Sequence, residues 1–332
     1  MLLSCSRQIR AGPIAPDPDR AAVLACLQAE APAAAAAARA AGGNLRYGAQ
    51  VRWMRDAEAC LGAMLSEVRA AEERLWLELT DARPGVVWDT VLTALRQRAA
   101  RGVDVHLILG PGCRLPGVRS LRHMRIRCAR RGPFAPGGQA ILIDDRVCYA
   151  GAIALRDDWA GLRSSQRPWI APCLRLEGDA ATAFGARFAA YLQDTAAQAP
   201  PAEPRDRAPG YCYVLPLGGA ALRRAVLSMI HRAEDNVWLL TPRPGPDPAV
   251  AAALRLADRS GAEVHVLSGC SRAVRGVSTL ACTGGQARTL ACCVDGALAV
   301  VGGHAGGIWL YGDAAAGLEA FLARTAARCR AV

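Results

Sequence analysis

Lysine is absent from this chain of 332 residues, so all 40 basic side chains are arginine. That excludes Schiff-base chemistry, a Walker-type phosphate loop, and any other mechanism that needs a catalytic ammonium group. Histidine is scarce, with five copies. No Cys-x-x-Cys spacing occurs among the 13 cysteines, and their odd number fits neither a zinc ribbon nor a disulfide framework. No metal ligand set and no cofactor motif is visible, so none is expected. No apolar run reaches the roughly 18 residues that a membrane-spanning helix needs, and the charged, proline-rich start lacks a secretory signal. The expectation is a reducing, cytoplasmic, non-secreted protein.

What remains is apolar and basic: 52% hydrophobic residues and a formal charge of +11. Arginine grips phosphate with a planar, bidentate fork. Anionic phospholipid or nucleic acid are therefore the partners that charge permits; protein partners are not legible.

Residues 1–46 are an Ala- and Pro-rich extension of low complexity. From Tyr47 the pattern is regular. Ala57, Cys60, Leu61, Met64, Leu65 and Val68 recur at helical spacing, and Leu75–Leu79 reads as a strand. A second helix runs through Trp88, Val91, Leu92, Leu95 and Ala99 to Gly102, followed by a strand over Val103–Leu109. Alternation of this kind predicts an α/β layer with parallel pairing.

The order then repeats. Ala71-Glu72-Glu73-Arg74-Leu75-Trp76-Leu77 is echoed by Ala233-Glu234-Asp235-Asn236-Val237-Trp238-Leu239, and Arg101–Leu107 by Ser260–Val266, each about 160 residues further on. The spacing predicts two α/β lobes related by internal duplication and packed about a pseudo-two-fold axis, one over 47–195 and one over 211–332. The proline-rich stretch 196–210 is the expected linker.

Each half continues into a strand ending in Asp, with Gly seven residues later: Asp144 and Gly151, then Asp295 and Gly302-Gly303. Duplicated halves with this unit resemble the phospholipase D superfamily over roughly residues 47–330. In that family each half carries His-x-Lys, four residues, Asp, six residues, then Gly-Gly or Gly-Ser, x and Asn. The resemblance implies phosphodiester cleavage between the halves. One His attacks phosphorus, the other protonates the leaving oxygen, Lys and Asn hold the phosphoryl oxygens, and no metal takes part.

This chain departs from that pattern. Gly137 and Arg288 stand at the His positions, Gln139 and Leu290 at the Lys positions, Ala154 and Ala305 at the Asn positions. The Asp and Gly of each motif are kept, and in the family that Asp supports other groups. Codon bias could turn Lys into Arg, but neither Lys position is Arg. The resemblance therefore implies a catalytically silent member, with Arg288 able to clamp a phosphate without cleaving it. His304, beside Gly303, is the candidate for a rearranged residual phosphodiesterase, phospholipase or nuclease. His106 and His265 sit inside strands and read as packed or edge residues, His123 and His231 as surface. An Arg-driven nucleic-acid binder is the third possibility, with Arg119, Arg122, Arg125, Arg127, Arg130 and Arg131 as its densest basic run.

Within the superfamily, Asp144 to Gly151, a further strand over Trp169–Leu176 and a helix through Phe184, Phe188 and Tyr191 look similar to the poxviral envelope-wrapping protein and its nuclease relatives; a diverged bacterial cardiolipin synthase-like protein would show a similar frame. This implies a peripheral role on cytoplasmic membranes or a virion envelope. It also implies acylated adjacent cysteines, for which Cys292-Cys293 is the adjacent pair, with Cys5 and Cys212 as alternatives.

Overall fold

The computed structural model describes residues 50–331 apart from 111, 114, 116–122, 129–138, 163–168, 179, 183, 186–187, 190–211, 243–246, 270–273, 275, 283–284 and 304–305. The N-terminal extension, the linker, Gly137, His304 and Ala305 lie outside the described residues, as do Arg119, Arg122, Arg130, Arg131, Tyr191 and Cys5.

The first helix starts because Asp56, extended at φ −159°, accepts the Ala59 N–H at 2.8 Å on its carboxylate. Helix α1 (Ala57–Ala70) then buries Ala57, Cys60, Met64, Leu65 and Val68 on one face. At about 1.5–3 kcal/mol for each large apolar side chain, that face rather than helix propensity holds α1 in place. Helix α2 (Val86–Ala99) has no side chain of its own at its start. Asp157, 70 residues away, accepts the Val87 N–H at 3.0 Å instead.

Strand β1 (Gln50–Trp53) precedes α1; β2 (Arg74–Leu79) and β3 (Asp104–Leu109) flank α2; β4 (Met124–Cys128), β5 (Ala140–Ile143), β6 (Val147–Gly151), β7 (Trp169–Ile170) and β8 (Cys173–Glu177) follow. All but β7 form one sheet of order β1-β8-β6-β5-β2-β3-β4. The second half supplies β9 (Cys212–Gly218), α3 (Gly219–Ile230), β10 (Asn236–Thr241), α4 (Pro248–Arg259), β11 (Glu263–Ser268), β12 (Thr279–Ala281), β13 (Gln286–Ala287), β14 (Leu290–Val294), β15 (Leu298–Gly303), β16 (Gly306–Gly312), α5 (Asp313–Ala326) and β17 (Arg330–Ala331). Its sheet runs β17-β12-β11-β10-β14-β15-β16-β9. Without β17 the two orders superimpose strand for strand, β1 on β9 through β4 on β12.

Within the two large sheets, parallel pairing is confined to β2-β3-β4 and β10-β11-β12. The remaining ladders are antiparallel, because β5-β6 and β14-β15 are joined by tight turns rather than crossover helices. The expected parallel layer is thus a mixed α/β sheet in each half. The strand expected over Trp169–Leu176 is also interrupted. Pro172, which has no N–H to give a ladder, separates β7 from β8.

Leu75, Leu77 and Leu79 face one core with α1 and α2, and Val237, Leu239 and Val266 face its counterpart with α3 and α4. The opposite faces meet in a third core, where Trp76, Leu142 and Leu174 from the first half join Leu240, Ala291 and Leu310 from the second. Phe184 and Phe188 fill this middle layer together with Leu318, Phe321 and Leu322 of α5. The Trp53 indole N–H, donating to Ala314 O at 2.8 Å, fixes α5 to the first half.

Candidate functional site

Because β5 runs antiparallel to β2, and β14 to β10, the starts of β5 and β14 lie at the ends of the sheets where β2, β3, β10 and β11 terminate. Gln139 immediately precedes β5, and Leu290 opens β14. The positions that the resemblance matches to Lys, Gln139 and Leu290, therefore share equivalent places at this end.

The halves are joined there by a two-stranded parallel ribbon, Gln286 opposite Trp169 and Ala287 opposite Ile170. Arg288 follows at once, and its guanidinium carbon lies 4.9 Å from the centroid of the Trp169 ring. Arg288 of the second half is thus seated on an aromatic ring of the first half. Its Nε and Nη2 donate to Gln286 Oε1 at 3.0 and 2.9 Å. Among the described residues no carboxylate pairs with it, and its side chain is exposed.

Arg156 also lies by the Trp169 ring, at 5.3 Å, but its charge is spent. It forms two bonds to Asp158, 2.8 and 2.7 Å, and reaches Asp81 at 3.1 Å, with its side chain only 10% exposed. Burial pushes the Asp158 carboxyl upward, but the facing Arg156 guanidinium outweighs it and holds the group below the usual carboxylate range. A compensated buried arginine and an uncompensated exposed one thus adjoin one tryptophan, and the second is the group able to receive a phosphate. In the first half Gln139 Oε1 is buried without a hydrogen-bond partner among the described residues.

Asp144 and Asp295 are elsewhere. Each is the first central residue of a two-residue turn, with φ of 50° and 52°, followed by Asp145 at 53° or Gly296 at 62°. The turns close through Arg146 N–H to Ile143 O at 3.0 Å and Ala297 N–H to Val294 O at 3.1 Å. Two successive positive φ values define the turn that matches strand twist, for which Asp-Gly is favoured. Asp144 accepts N–H groups from Glu72, Glu73 and Arg74 at 3.0, 2.8 and 2.8 Å. Asp295 accepts from Glu234, Asp235 and Asn236 at the same three distances. The four residues of β5 separate Gln139 from Asp144, about 17 Å from Cα to Cα, so these carboxylates hold the opposite end of the sheet. Burial raises the Asp144 carboxyl, but its backbone amides and Arg146 outweigh this and bring it below the ordinary value.

Gly151 has φ 102°, and a Cβ there would lie 2.5 Å from Pro172 O. The motif glycine permits a close crossing of backbone between β6 and the segment leading to β8.

The adjacent cysteines do not offer an anchor in this fold. Cys292 faces the second-half core and Cys293 the middle core, both fully buried. Burial pushes the Cys292 thiol up to about 12 and that of Cys293 well above its ordinary value. The side chain of Cys212, at the start of β9, lies outside the described residues.

His106 is buried and bonded to Asp104 at 2.9 Å, whereas His265 stacks on Trp238 at 3.9 Å; both are packed strand residues. His123 and His231 are exposed, as is Arg125 on β4. Among the described residues no helix is long and apolar enough to cross a membrane, and no three or more His, Cys, Asp and Glu side chains are grouped so as to hold a metal ion.

Sequence reasoning passed over Trp169, Arg156, Asp158 and Asp81. The Arg-Asp-Asp run at 156–158, just beyond the motif glycine, was the available signal.

No family model matches the chain. It is similar to cardiolipin synthase A of Pseudomonas aeruginosa, 25% identical over 244 residues, which cover 66% of this chain and 49% of the relative. With that of Pseudomonas entomophila it is 26% identical over 241 residues, 66% and 50%. The chain spans about half the length of the curated relatives it matches. Among solved structures, phosphatidylserine synthase of Haemophilus influenzae Rd KW20 superimposes with a TM-score of 0.63 at 10% identity, over 90% of this chain and 92% of that one. Polyphosphate kinase from Porphyromonas gingivalis gives 0.53 at 12% identity, over 79% and 44%. The two mixed sheets of this chain thus share the fold of that phosphatidylserine synthase, and its sequence is similar to part of the cardiolipin synthases.

Proposed function

We propose that this protein is a catalytically silent member of the superfamily that binds anionic phospholipid peripherally and holds a phosphate group at Arg288 without cleaving it. The observation that carries this reading is Arg288 itself, exposed on Trp169 with no carboxylate partner among the described residues, at the position where the family places a catalytic His. Gln139 and Leu290 at the Lys positions supply no second cation. We take 47–195 and 211–332 as the two lobes. The test is flotation with phosphatidylglycerol or cardiolipin vesicles, followed by assay of headgroup release. Binding that weakens in Arg288→Ala, with no turnover above a protein-free control, supports the reading. Phosphodiester turnover would overturn it.

A second reading, a surviving phosphodiesterase, is favoured by the similarity to synthases of cardiolipin and phosphatidylserine and by His304 next to Gly303. It requires a phosphorylated intermediate that maps to His304. The poxvirus-like reading, with a role in envelope wrapping, rests on the Asp144–Gly151 segment alone. The curated relatives named above are bacterial, and we place the protein on a cytoplasm-facing membrane without assigning it to a virus. Nucleic-acid binding rests on the +11 charge. It requires a salt dependence with a log-log slope near 0.9 per neutralised phosphate on duplex DNA.

A further inference from the structure

Cys282 and Cys329 face each other just beyond the ends of β12 and β17. The antiparallel register pairs Leu280 with Ala331 and Ala281 with Arg330, so its next step sets Cys282 opposite Cys329. The Cys329 thiol donates to the Cys282 sulfur at 2.9 Å. Opposed residues of an antiparallel pair have Cα atoms about 4.5–5.5 Å apart, inside the range that a disulfide spans. Cys60 and Cys173 also interact, but both are fully buried. Cys329 differs in being partly exposed.

We propose that Cys282 and Cys329 form a redox-modification site, a dithiol in the reduced protein that a low-molecular-weight disulfide such as oxidised glutathione converts into a cross-link. The Cys329 thiolate attacks one sulfur of the oxidant, forming a mixed disulfide and expelling one glutathione thiolate. The Cys282 sulfur then loses its proton and displaces the second glutathione. The protein gives up two electrons and two protons, and the oxidant leaves as two thiols. Burial holds the Cys282 thiol pKa far up, with the neighbouring Cys329 adding to it, so the partly exposed Cys329 is the entry point.

The bond would join two functional parts of the fold. Cys329 ends the turn after α5, the helix of the middle layer, where its N–H is bonded to Ala326 O at 2.9 Å. Cys282, held by its N–H to Ser268 O at 2.9 Å, begins the segment that leads through β13 to Arg288. Oxidation therefore fixes the root of the Arg288 segment to the end of α5. The proposal does not depend on what Arg288 binds.

The test is to treat the purified full chain with oxidised glutathione and map its peptides without reduction. We expect loss of two hydrogens, one linked pair containing Cys282 and Cys329, reversal by dithiothreitol, and a melting temperature several degrees higher in the linked form. Cys282→Ser, lacking the resolving thiol, should stall with glutathione attached to Cys329. The proposal is overturned if the wild-type chain accumulates a lasting glutathione adduct on Cys329, if the cross-link maps to other cysteines, or if linking lowers the melting temperature.

Discussion

Asp144 and Asp295 are structural equivalents: each opens a tight turn at positive φ, and each carboxylate accepts three consecutive backbone N–H groups from the loop before the parallel strand of its own half. The two Asp residues of the duplicated motif thus bind the fold together, at the opposite end of the sheets from Gln139 and Arg288. Replacing Asp144 with Ala leaves three amides without their acceptor. The expected cost is about 2–3 kcal/mol in urea unfolding, with vesicle binding by the folded fraction unchanged. Loss of binding at full stability would show that Asp144 acts on the ligand.

The depressed Asp144 carboxyl sets the sign of a pH effect. Its pKa is lower folded than unfolded, so its stabilisation is fully present above the ordinary carboxylate value and is lost as pH falls through the folded one. The stability gap between wild type and Asp144→Asn, from urea midpoints, should be constant near neutral pH and shrink in acid. A gap that widens in acid would contradict the amide cradle.

Gly151 tests the backbone crossing. At φ 102°, with Pro172 O lying 2.5 Å from any added Cβ, Gly151→Ala should destabilise by more than about 1 kcal/mol. Thermal melting would show this as a lowered midpoint; an unchanged midpoint would mean that β6 and the Pro172 segment can separate freely.

Trp169 bears on the seat of Arg288. Trp169→Leu keeps an apolar side chain but removes the ring beneath Arg288. Because an exposed cation–π contact is worth about 0.5–1 kcal/mol, binding to phosphatidylglycerol vesicles should weaken about twofold to fivefold.

If membrane association involves no acyl chain on Cys292 or Cys293, both fully buried, hydroxylamine treatment should leave flotation unchanged. Release of the protein by hydroxylamine, lost in a Cys292→Ala, Cys293→Ala variant, would require the strand β14 to open.

Much of the frame was legible in the sequence because it follows simple periodicities. The α1 face from Ala57 to Val68, the strand after it and the echo at Trp238 each span enough residues for a pattern to emerge. Strands β7 and β13 are two residues long and show no period, so the ribbon joining the halves was invisible. The Arg156–Asp81 pair links residues 75 positions apart, and no local rule connects them. Arg288 was found because the motif of the resembling family, counted back from Asp295, indicated its position; the tryptophan beneath it depended on three-dimensional pairing. Cys292-Cys293 misled because adjacency alone does not separate a surface acylation pair from two residues on opposite faces of a buried strand.

The most direct measurement is a paired assay on cardiolipin vesicles, flotation together with headgroup release, for wild type and Arg288→Ala. At about 1 kcal/mol for a basic residue at an anionic surface, the substitution should weaken binding about fivefold, with neither protein releasing headgroup. Headgroup release by wild type, or equal binding by both proteins, would contradict a site that holds phosphate through Arg288 without cleaving it.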